Sequence, residues 1–255
     1  MEKVKFKIAD KEKIAEFIFD LRNCLDINNL SQRNYSPCIY KKFKKEFAES
    51  MINSHELDNS LKEKIISNIK ISKEESRKMA LFTEQIKGYW DKEISDIFFS
   101  NVKETIGKDF IEKEYICYIT NKVVGSYFNK SEITIDYNEK MSSKKGAFIL
   151  AEEIVHLIYW NLWKEIYQKD ISDIDNIFSI KGDKYSCWHI AEIIPEYILV
   201  DNPSFNSFGW NKRKRYLGYP WIIELRKILD PLWENKKSFM DFVINAHKQL
   251  NIIIK

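Results

Sequence analysis

Two glutamates and a histidine lie close together in the segment 151–156, which reads AEEIVH. In a helix, Glu152 and His156 are four residues apart and project from one face, and Glu153 borders that face. The neighbouring positions from 149 to 158 are otherwise apolar. Ionisable groups on an apolar face are costly to bury unless they are paired or bind a metal ion. The spacing therefore predicts a metal site on this helix, or else a solvent-facing acidic pair beside a buried histidine.

A second segment, 188–197 with the sequence WHIAEIIPEY, adds further potential metal ligands. Glu192 and Glu196 are one helical turn apart, and His189 borders the same face three residues before Glu192. Three protein ligands leave one coordination position of a zinc ion open for water. The metal lowers the pKa of that water, and a nearby carboxylate takes its proton. Together the two segments contain the residue types of a hydrolytic metal site.

Hydrophobic periodicity predicts the elements that position these residues. Amphipathic helices are predicted within residues 8–107, at 11–25, 39–51, 61–69, 74–89 and 92–106. Runs rich in β-branched and aromatic residues predict a small antiparallel sheet with strands at 115–120, 123–128 and 133–137. Further helices are predicted at about 145–167, 185–200, 220–229 and 237–252. Pro195 is expected to kink or split the second of these.

The order of these elements resembles that of gluzincin-type metallopeptidases, which belong to the zincins. In that family, strands precede a helix with the motif HExxH, and a second helix supplies a third, acidic zinc ligand. Here Glu152 stands where the first histidine of the motif would be. The resemblance covers roughly residues 109–220. It implies that Glu153 is the general base, that His156 is the second ligand, and that Glu192 is the third.

The exchange of a histidine for Glu152 changes the expected metal chemistry. Two carboxylates and one imidazole form a harder, more anionic ligand set than two imidazoles and one carboxylate. Zn²⁺ is still the expected metal, with Mn²⁺ or Fe²⁺ as alternatives. His189 is a further candidate ligand, because it could supply the missing imidazole. The resemblance also implies that Glu196 orients the ring of His156 from beside the ligands.

Two further features concern the substrate. Tyr216 and Tyr219 follow the second ligand helix, and in metallopeptidases a tyrosine beyond the third ligand often steadies the tetrahedral oxyanion. Either tyrosine is a candidate for that role. The strand at 133–137 is expected to form the edge of the cleft and to pair with an extended substrate.

Composition narrows the class of protein. The chain has 255 residues, 44% hydrophobic and 31% charged, which is typical of a globular protein with a substantial core. A net charge of +3 does not indicate nucleic-acid binding. Four scattered cysteines form no CxxC pair, and the first thirteen residues lack the apolar core of a signal peptide. We therefore expect a cytoplasmic protein without nucleic-acid or membrane partners; the oligomeric state stays open.

The favoured interpretation is a mostly helical α+β protein with a helical N-terminal region, 1–108, and a zincin-like core, 109–255. Its function would be metal-dependent hydrolysis of a peptide bond in a peptide or protein substrate. One alternative is a catalytically inactive zincin-like protein that binds a peptide or a partner. A second is a di-iron carboxylate oxidase, because Glu153-x-x-His156 matches the ligand pair of di-iron helical bundles. Strands are predicted where such a bundle would have helices.

Overall fold

The computed structural model describes residues 3–21, 47, 50–51, 53–107, 111–123, 126–128, 131–168, 185–210, 221–250 and 252. The chain forms two compact units. One comprises Met1–Lys92 and Lys113–Glu153, and the other comprises Glu93–Glu112 and Ile154–Lys255. Each unit contains residues from both sides of position 108, and the predicted domain boundary there stays a prediction. The described chain is helix-rich with one small sheet, so the predicted α+β class is confirmed.

The first unit contains a four-stranded sheet. Its strands are β1 (Lys3–Ile8), β2 (Glu114–Thr120), β3 (Ser126–Phe128) and β4 (Glu132–Asp136), in the order β1-β2-β4-β3. Strands β1, β2 and β4 are parallel neighbours, and only β3 runs antiparallel, beside β4. The prediction of an antiparallel sheet was therefore wrong for the pairing of β2 with β4. Strand β3 takes the outer position, which leaves β2 between β1 and β4.

The sheet order also corrects the predicted substrate-binding edge. Strand β4 was expected to form the edge of a cleft, but Glu132–Thr134 of β4 pairs with β3 on one side and with β2 on the other. Backbone groups that are already paired cannot bind an extended peptide. The outer strands of the described sheet are β1 and β3.

Strand β1 was not predicted, although its sequence carries a strand signal. Val4, Phe6 and Ile8 alternate with three lysines, which is the period of two that a strand requires. The first helix, α1 (Lys11–Asp20), begins only after this strand. Asp10 caps it by accepting a hydrogen bond from the backbone N–H of Lys13 at 2.8 Å.

The other helices of the first unit lie close to their predicted positions. They are α2 (Asn59–Asn68) and α3 (Lys73–Tyr89), and α3 continues into a π-helical turn at Trp90–Ile94. A reciprocal capping box fixes the start of α3, because Ser72 and Glu75 each accept the other's backbone N–H. The predicted helix at 39–51 lies mostly outside the described residues.

The longest helix, α5 (Ser143–Tyr167), carries the AEEIVH segment and confirms the helix predicted there. Its residues up to Glu153 belong to the first unit, and those from Ile154 onward belong to the second. Gly146 in its first turn approaches α3 so closely that a Cβ atom would lie 2.8 Å from the side chains of both Ile86 and Phe82. The absence of a side chain at this position therefore sets the distance between α3 and the start of α5.

Among its described residues, the second unit has four further α-helices and two shorter helical segments. They are α4 (Ser95–Thr105), α6 (Cys187–Pro195), a π-helical segment (Glu196–Val200), a 3₁₀ helix (Pro203–Phe208), α7 (Trp221–Glu234) and α8 (Phe239–Gln249). Pro195 marks the change from α-helix to π-helix, as its position predicted. No helix in the described ranges is long and apolar enough to span a membrane.

A buried hydrogen-bond network joins three of these helices. The hydroxyl of Tyr159 on α5 donates to the carbonyl oxygen of Cys187 at 3.2 Å and lies 3.1 Å from Nε2 of His247 on α8. A hydroxyl has one proton, so Nε2 of His247 donates to the Tyr159 oxygen. The His247 ring also stacks on Tyr167. This network fixes α5 against the start of α6 and against α8.

We predict that Gly146→Ala destabilises the protein by about 1–3 kcal/mol, because the new methyl group overlaps Ile86 and Phe82. Gly88→Ala is the matched control, since Gly88 lies inside α3 with no atom within 4 Å of its added Cβ. That variant should gain about 0.5–1 kcal/mol from its better helix propensity. Urea unfolding measures both values. A stabilising effect of Gly146→Ala would contradict the close approach of α3 and α5.

Candidate metal centre

Glu152 and His156 on α5 and Glu192 on α6 form a group that could hold a metal ion. One ligand atom from each of the three side chains lies within 4.8 Å of the other two. Nε2 of His156 is 3.8 Å from Oε1 of Glu192. Around a tetrahedral ion with bonds of about 2.0–2.2 Å, ligand atoms are about 3.3–3.6 Å apart. The three residues therefore fit one metal ion after movements of about an ångström.

The local sequence explains why these side chains converge. The four-residue spacing of Glu152 and His156 places both on one face of α5. Their neighbours Ile154, Val155, Leu157 and Ile158 are buried, so this stretch of the helix lies in the protein core. On α6, Ile190, Ala191, Ile193 and Ile194 are buried in the same way around Glu192. The apolar residues thus hold the two helices in place, and the polar residues between them form the site.

Burial sets the protonation states of the site. His156 is 3% exposed, and burial lowers the pKa of its imidazole to about 4. A hydrogen bond between the ring and the backbone of Ala191 opposes that decrease. Burial, with a smaller contribution from the negative charge of Glu196, raises the pKa of Glu192 to about 8. At pH 7 without metal, His156 is neutral and Glu192 is protonated, so their 3.8 Å contact is not an ion pair.

These protonation states suit metal binding. A neutral imidazole has a lone pair for a metal ion, whereas an imidazolium has none. Glu192 would release its proton on binding, and the positive charge of the ion would then offset the cost of burying the carboxylate. A buried group with two carboxylates and one imidazole is thus chemically suited to a divalent cation.

Glu153, the predicted general base, follows Glu152 directly on α5 and is half-buried. It is not a member of the three-residue group. Its role in proton transfer stays a prediction.

The structure does not bring His189 into this group. Its Nδ1 atom accepts a hydrogen bond from the backbone N–H of Ser186 at 3.0 Å, so the ring caps the start of α6. The ring also packs against Trp221, with centroids 4.6 Å apart. The helix position predicted by the sequence is correct, but the capping interaction turns the ring toward the helix terminus. The predicted role of His189 as a metal ligand stays a prediction.

Glu196 is 1% exposed and begins the π-helical segment after α6. Burial and the charge of Asp201 raise the pKa of its carboxyl to about 7, and Arg226 opposes that increase. Its predicted role in orienting His156 stays a prediction. The hydrogen bond of His156 to the Ala191 backbone was not predicted. Tyr216 and Tyr219, the candidate oxyanion residues, lie outside the described residues.

Comparisons of the chain with protein-family models, with curated proteins and with solved structures found no match. The fold and the site therefore define the class of protein by themselves. It is a helix-rich α+β protein with a candidate metal centre formed by side chains of α5 and α6. Within the part of the chain that the structure describes, no second group of this kind is found.

We predict that, in the presence of a chelator, the stability of the protein decreases as the pH rises from about 6.5 to 8. Glu192 and Glu196 have folded-state pKa values of about 8 and about 7, above their usual 4.5. In this range the unfolded chain has already lost both protons, whereas the folded protein releases them only as the pH passes about 7 and about 8, so the stability they provide is lost as the pH rises. Thermal melting across this range measures the effect.

Glu192→Gln removes one of the two titrating groups and should make the decrease in melting temperature with pH shallower. Glu84→Gln, on the exposed face of α3, is the control and should leave the slope unchanged. An equal slope in the wild type and in Glu192→Gln would show that Glu192 does not keep its proton in the folded protein.

Proposed function

We propose that this protein is a zincin-like metallopeptidase that hydrolyses a peptide bond in a peptide or protein substrate. One observation carries the proposal, which is the convergence of Glu152, His156 and Glu192 from α5 and α6. The order of elements supports it, because β2 to β4 precede the helix with Glu152 and His156, and the helix with Glu192 follows. The resemblance to gluzincins implies this order.

In this proposal, the three side chains would hold one divalent cation. When bound, the cation supplies Lewis-acid polarisation and makes a water molecule more acidic. Glu153 would accept a proton from the attacking water and would pass it to the leaving amine. The hydroxyl of Tyr216 or Tyr219 donates a hydrogen bond to the oxyanion. The apolar residues around the ligands exclude bulk water, which strengthens each electrostatic interaction in the site.

The ligand set also bears on the identity of the metal. Zn²⁺ accepts carboxylate and imidazole ligands, and it is the metal of the family that the sequence resembles. Two carboxylates and one imidazole also suit Mn²⁺ and Fe²⁺, which prefer oxygen ligands more strongly than Zn²⁺ does. We propose Zn²⁺ first and these two metals as alternatives.

We predict that protein purified without chelator or an affinity metal contains about one metal ion per chain. Glu192→Ala should lose the metal, because only two ligands of the group would remain. Glu84→Ala should keep it, since Glu84 is exposed on α3. Elemental mass spectrometry measures zinc, manganese and iron together. Absence of metal from the wild type, even after zinc is added back, would overturn the proposal.

We further predict that Glu153→Gln lowers peptide hydrolysis by about 10²–10⁴-fold while the metal content stays near that of the wild type. The amide of glutamine has nearly the shape of the carboxylate but cannot accept the proton. Cleavage of a peptide library, followed by mass spectrometry, measures activity. Full activity in Glu153→Gln would exclude this residue as the base.

A second candidate function is a zincin-like protein that binds a peptide or partner without catalysis. The glutamate at position 152, where the family has a histidine, favours it. Glu152→His separates the two functions: gain of zinc and activity would indicate a degenerate site, and loss of metal would show that Glu152 is a working ligand. The di-iron alternative predicts about two irons per chain, whereas the described residues provide one three-residue group.

A further inference from the structure

Strand β1 is an outer strand of the sheet in the first unit, and every second residue of it directs its backbone groups away from the sheet. The N–H of Lys3 donates to the carbonyl oxygen of Lys113 at 3.2 Å, which sets the parallel register with β2. The N–H and C=O of one strand residue point to the same side, and that side alternates from residue to residue. The residues of β1 whose backbone groups point outward are therefore Val4, Phe6 and Ile8.

Within the ranges that the structure describes, no strand pairs with this outer edge of β1. The edge thus differs from β4, which pairs with a strand on each side. Unpaired N–H and C=O groups along a strand are a template for another extended chain, which binds by continuing the ladder of main-chain hydrogen bonds. The edge is also accessible, since Ile8 at its end is 40% exposed.

The side chains on one face of β1 make this edge basic. Lys3, Lys5 and Lys7 occupy alternate positions, and all three are exposed. Nζ of Lys5 lies 2.7 Å from a carboxylate oxygen of Glu114, but the two side chains are 57% and 41% exposed, so this pair contributes little stability. Nζ of Lys7 lies 5.8 Å from the centre of the Tyr118 ring. Positive charges therefore repeat at every second position beside an open backbone edge.

This spacing disfavours a second copy of the chain as the occupant of the edge. Two copies related by a two-fold axis would pair their β1 strands antiparallel. Outward-facing residues would then pair with outward-facing residues, so lysines would lie opposite lysines in each such register. Like charges at opposed positions destabilise a sheet, whereas opposite charges stabilise it. The edge is thus complementary to a strand with acidic side chains at alternate positions.

We propose that the outer edge of β1 binds an extended segment of another protein in which acidic and apolar residues alternate. The backbone of the segment pairs with the three outward-facing residues, and its carboxylates lie beside the three lysines. Its apolar side chains extend the opposite face, where Val4 and Phe6 are half-buried. This inference goes beyond the proposed function and does not depend on the metal centre.

Binding of synthetic peptides to the full chain tests the proposal. The probe is a fluorescein-labelled peptide in which glutamate and valine alternate, and fluorescence anisotropy at low ionic strength measures its affinity. One control peptide has the same composition with the glutamates and valines grouped, and a second has lysine in place of glutamate. We expect the alternating acidic peptide to bind about 10-fold more tightly than either control, because only this peptide matches both the charge and the period of β1.

Charge reversal locates the basic face. Lys3→Glu combined with Lys7→Glu should weaken binding of the alternating acidic peptide about 10–100-fold, because two attractive pairs become repulsive while the Lys5–Glu114 pair stays intact. The matched control is Lys64→Glu combined with Lys87→Glu, which changes the net charge equally at exposed positions of α2 and α3. Its affinity should stay within about twofold of the wild type at the same ionic strength.

Amide hydrogen exchange, followed by NMR in the wild type, shows whether the peptide adds to the sheet. In the free protein, the outward-facing N–H groups should exchange faster than those of the three lysines, which donate to β2. The alternating acidic peptide should slow the outward-facing groups about 10-fold or more. The N–H groups to follow are those of Val4, Phe6 and Ile8.

Three results would overturn the proposal. The first is equal affinity for the alternating and the grouped peptide, and the second is binding that leaves the outward-facing N–H groups unprotected. The third is a dimer in sedimentation whose outward-facing N–H groups are protected without peptide, because a second copy would then occupy the edge. Peptide binding with protection of these groups supports the proposal even if the chain holds no metal, so the two proposals fail separately.

Discussion

The burial of ionisable groups in an apolar core is the constraint on which this structure depends. His156 and Glu196 are almost fully buried, and Glu192 is mostly so. Charged groups in such surroundings cost several kcal/mol each unless they are neutralised, hydrogen-bonded or bound to a cation. In the metal-free protein both side chains are uncharged at pH 7, because His156 is deprotonated and Glu192 is protonated. A bound cation would instead allow the carboxylates to be charged, because its positive charge would offset the cost of burying them.

Helix α5 is the element that makes this burial possible. It is 25 residues long, and most of its positions from 147 to 163 are buried, so its polar residues have little access to water. Near its start, Gly146 allows close contact with α3. Beyond the ligands, Tyr159 links it to the backbone of Cys187 at the start of α6 and to His247 on α8. The ligand pair thus lies on a helix whose first turn packs against α3 and whose later turns are hydrogen-bonded to α6 and α8.

Helix α6, which carries Glu192, has irregular hydrogen bonding at both of its ends. Its first turn is capped by His189 and Ser186, and its last turn is interrupted by Pro195 and continues as a π-helix. The capping interaction involves Nδ1 of His189 and the backbone N–H of Ser186, and His189 is not a member of the three-residue group. Such irregular turns are frequent at functional sites because they present backbone groups that a regular helix conceals.

The sequence by itself determined the helices, the general class and the residues that could bind a metal. Hydrophobic periodicity placed α3, α5 and α6 within a few residues, and the four-residue spacing of Glu152 and His156 put both on one face. These features follow from local geometry. The tertiary structure decided the features that depend on distant residues: that β1 joins the sheet in parallel, that β3 covers β4, and that Glu192 meets the pair on α5. The tertiary structure also places His156 in the three-residue group and His189 at the start of α6, because the partners of a ring nitrogen are set by neighbours in space. Periodicity records which face of an element is buried, but it contains no information about which other element covers that face.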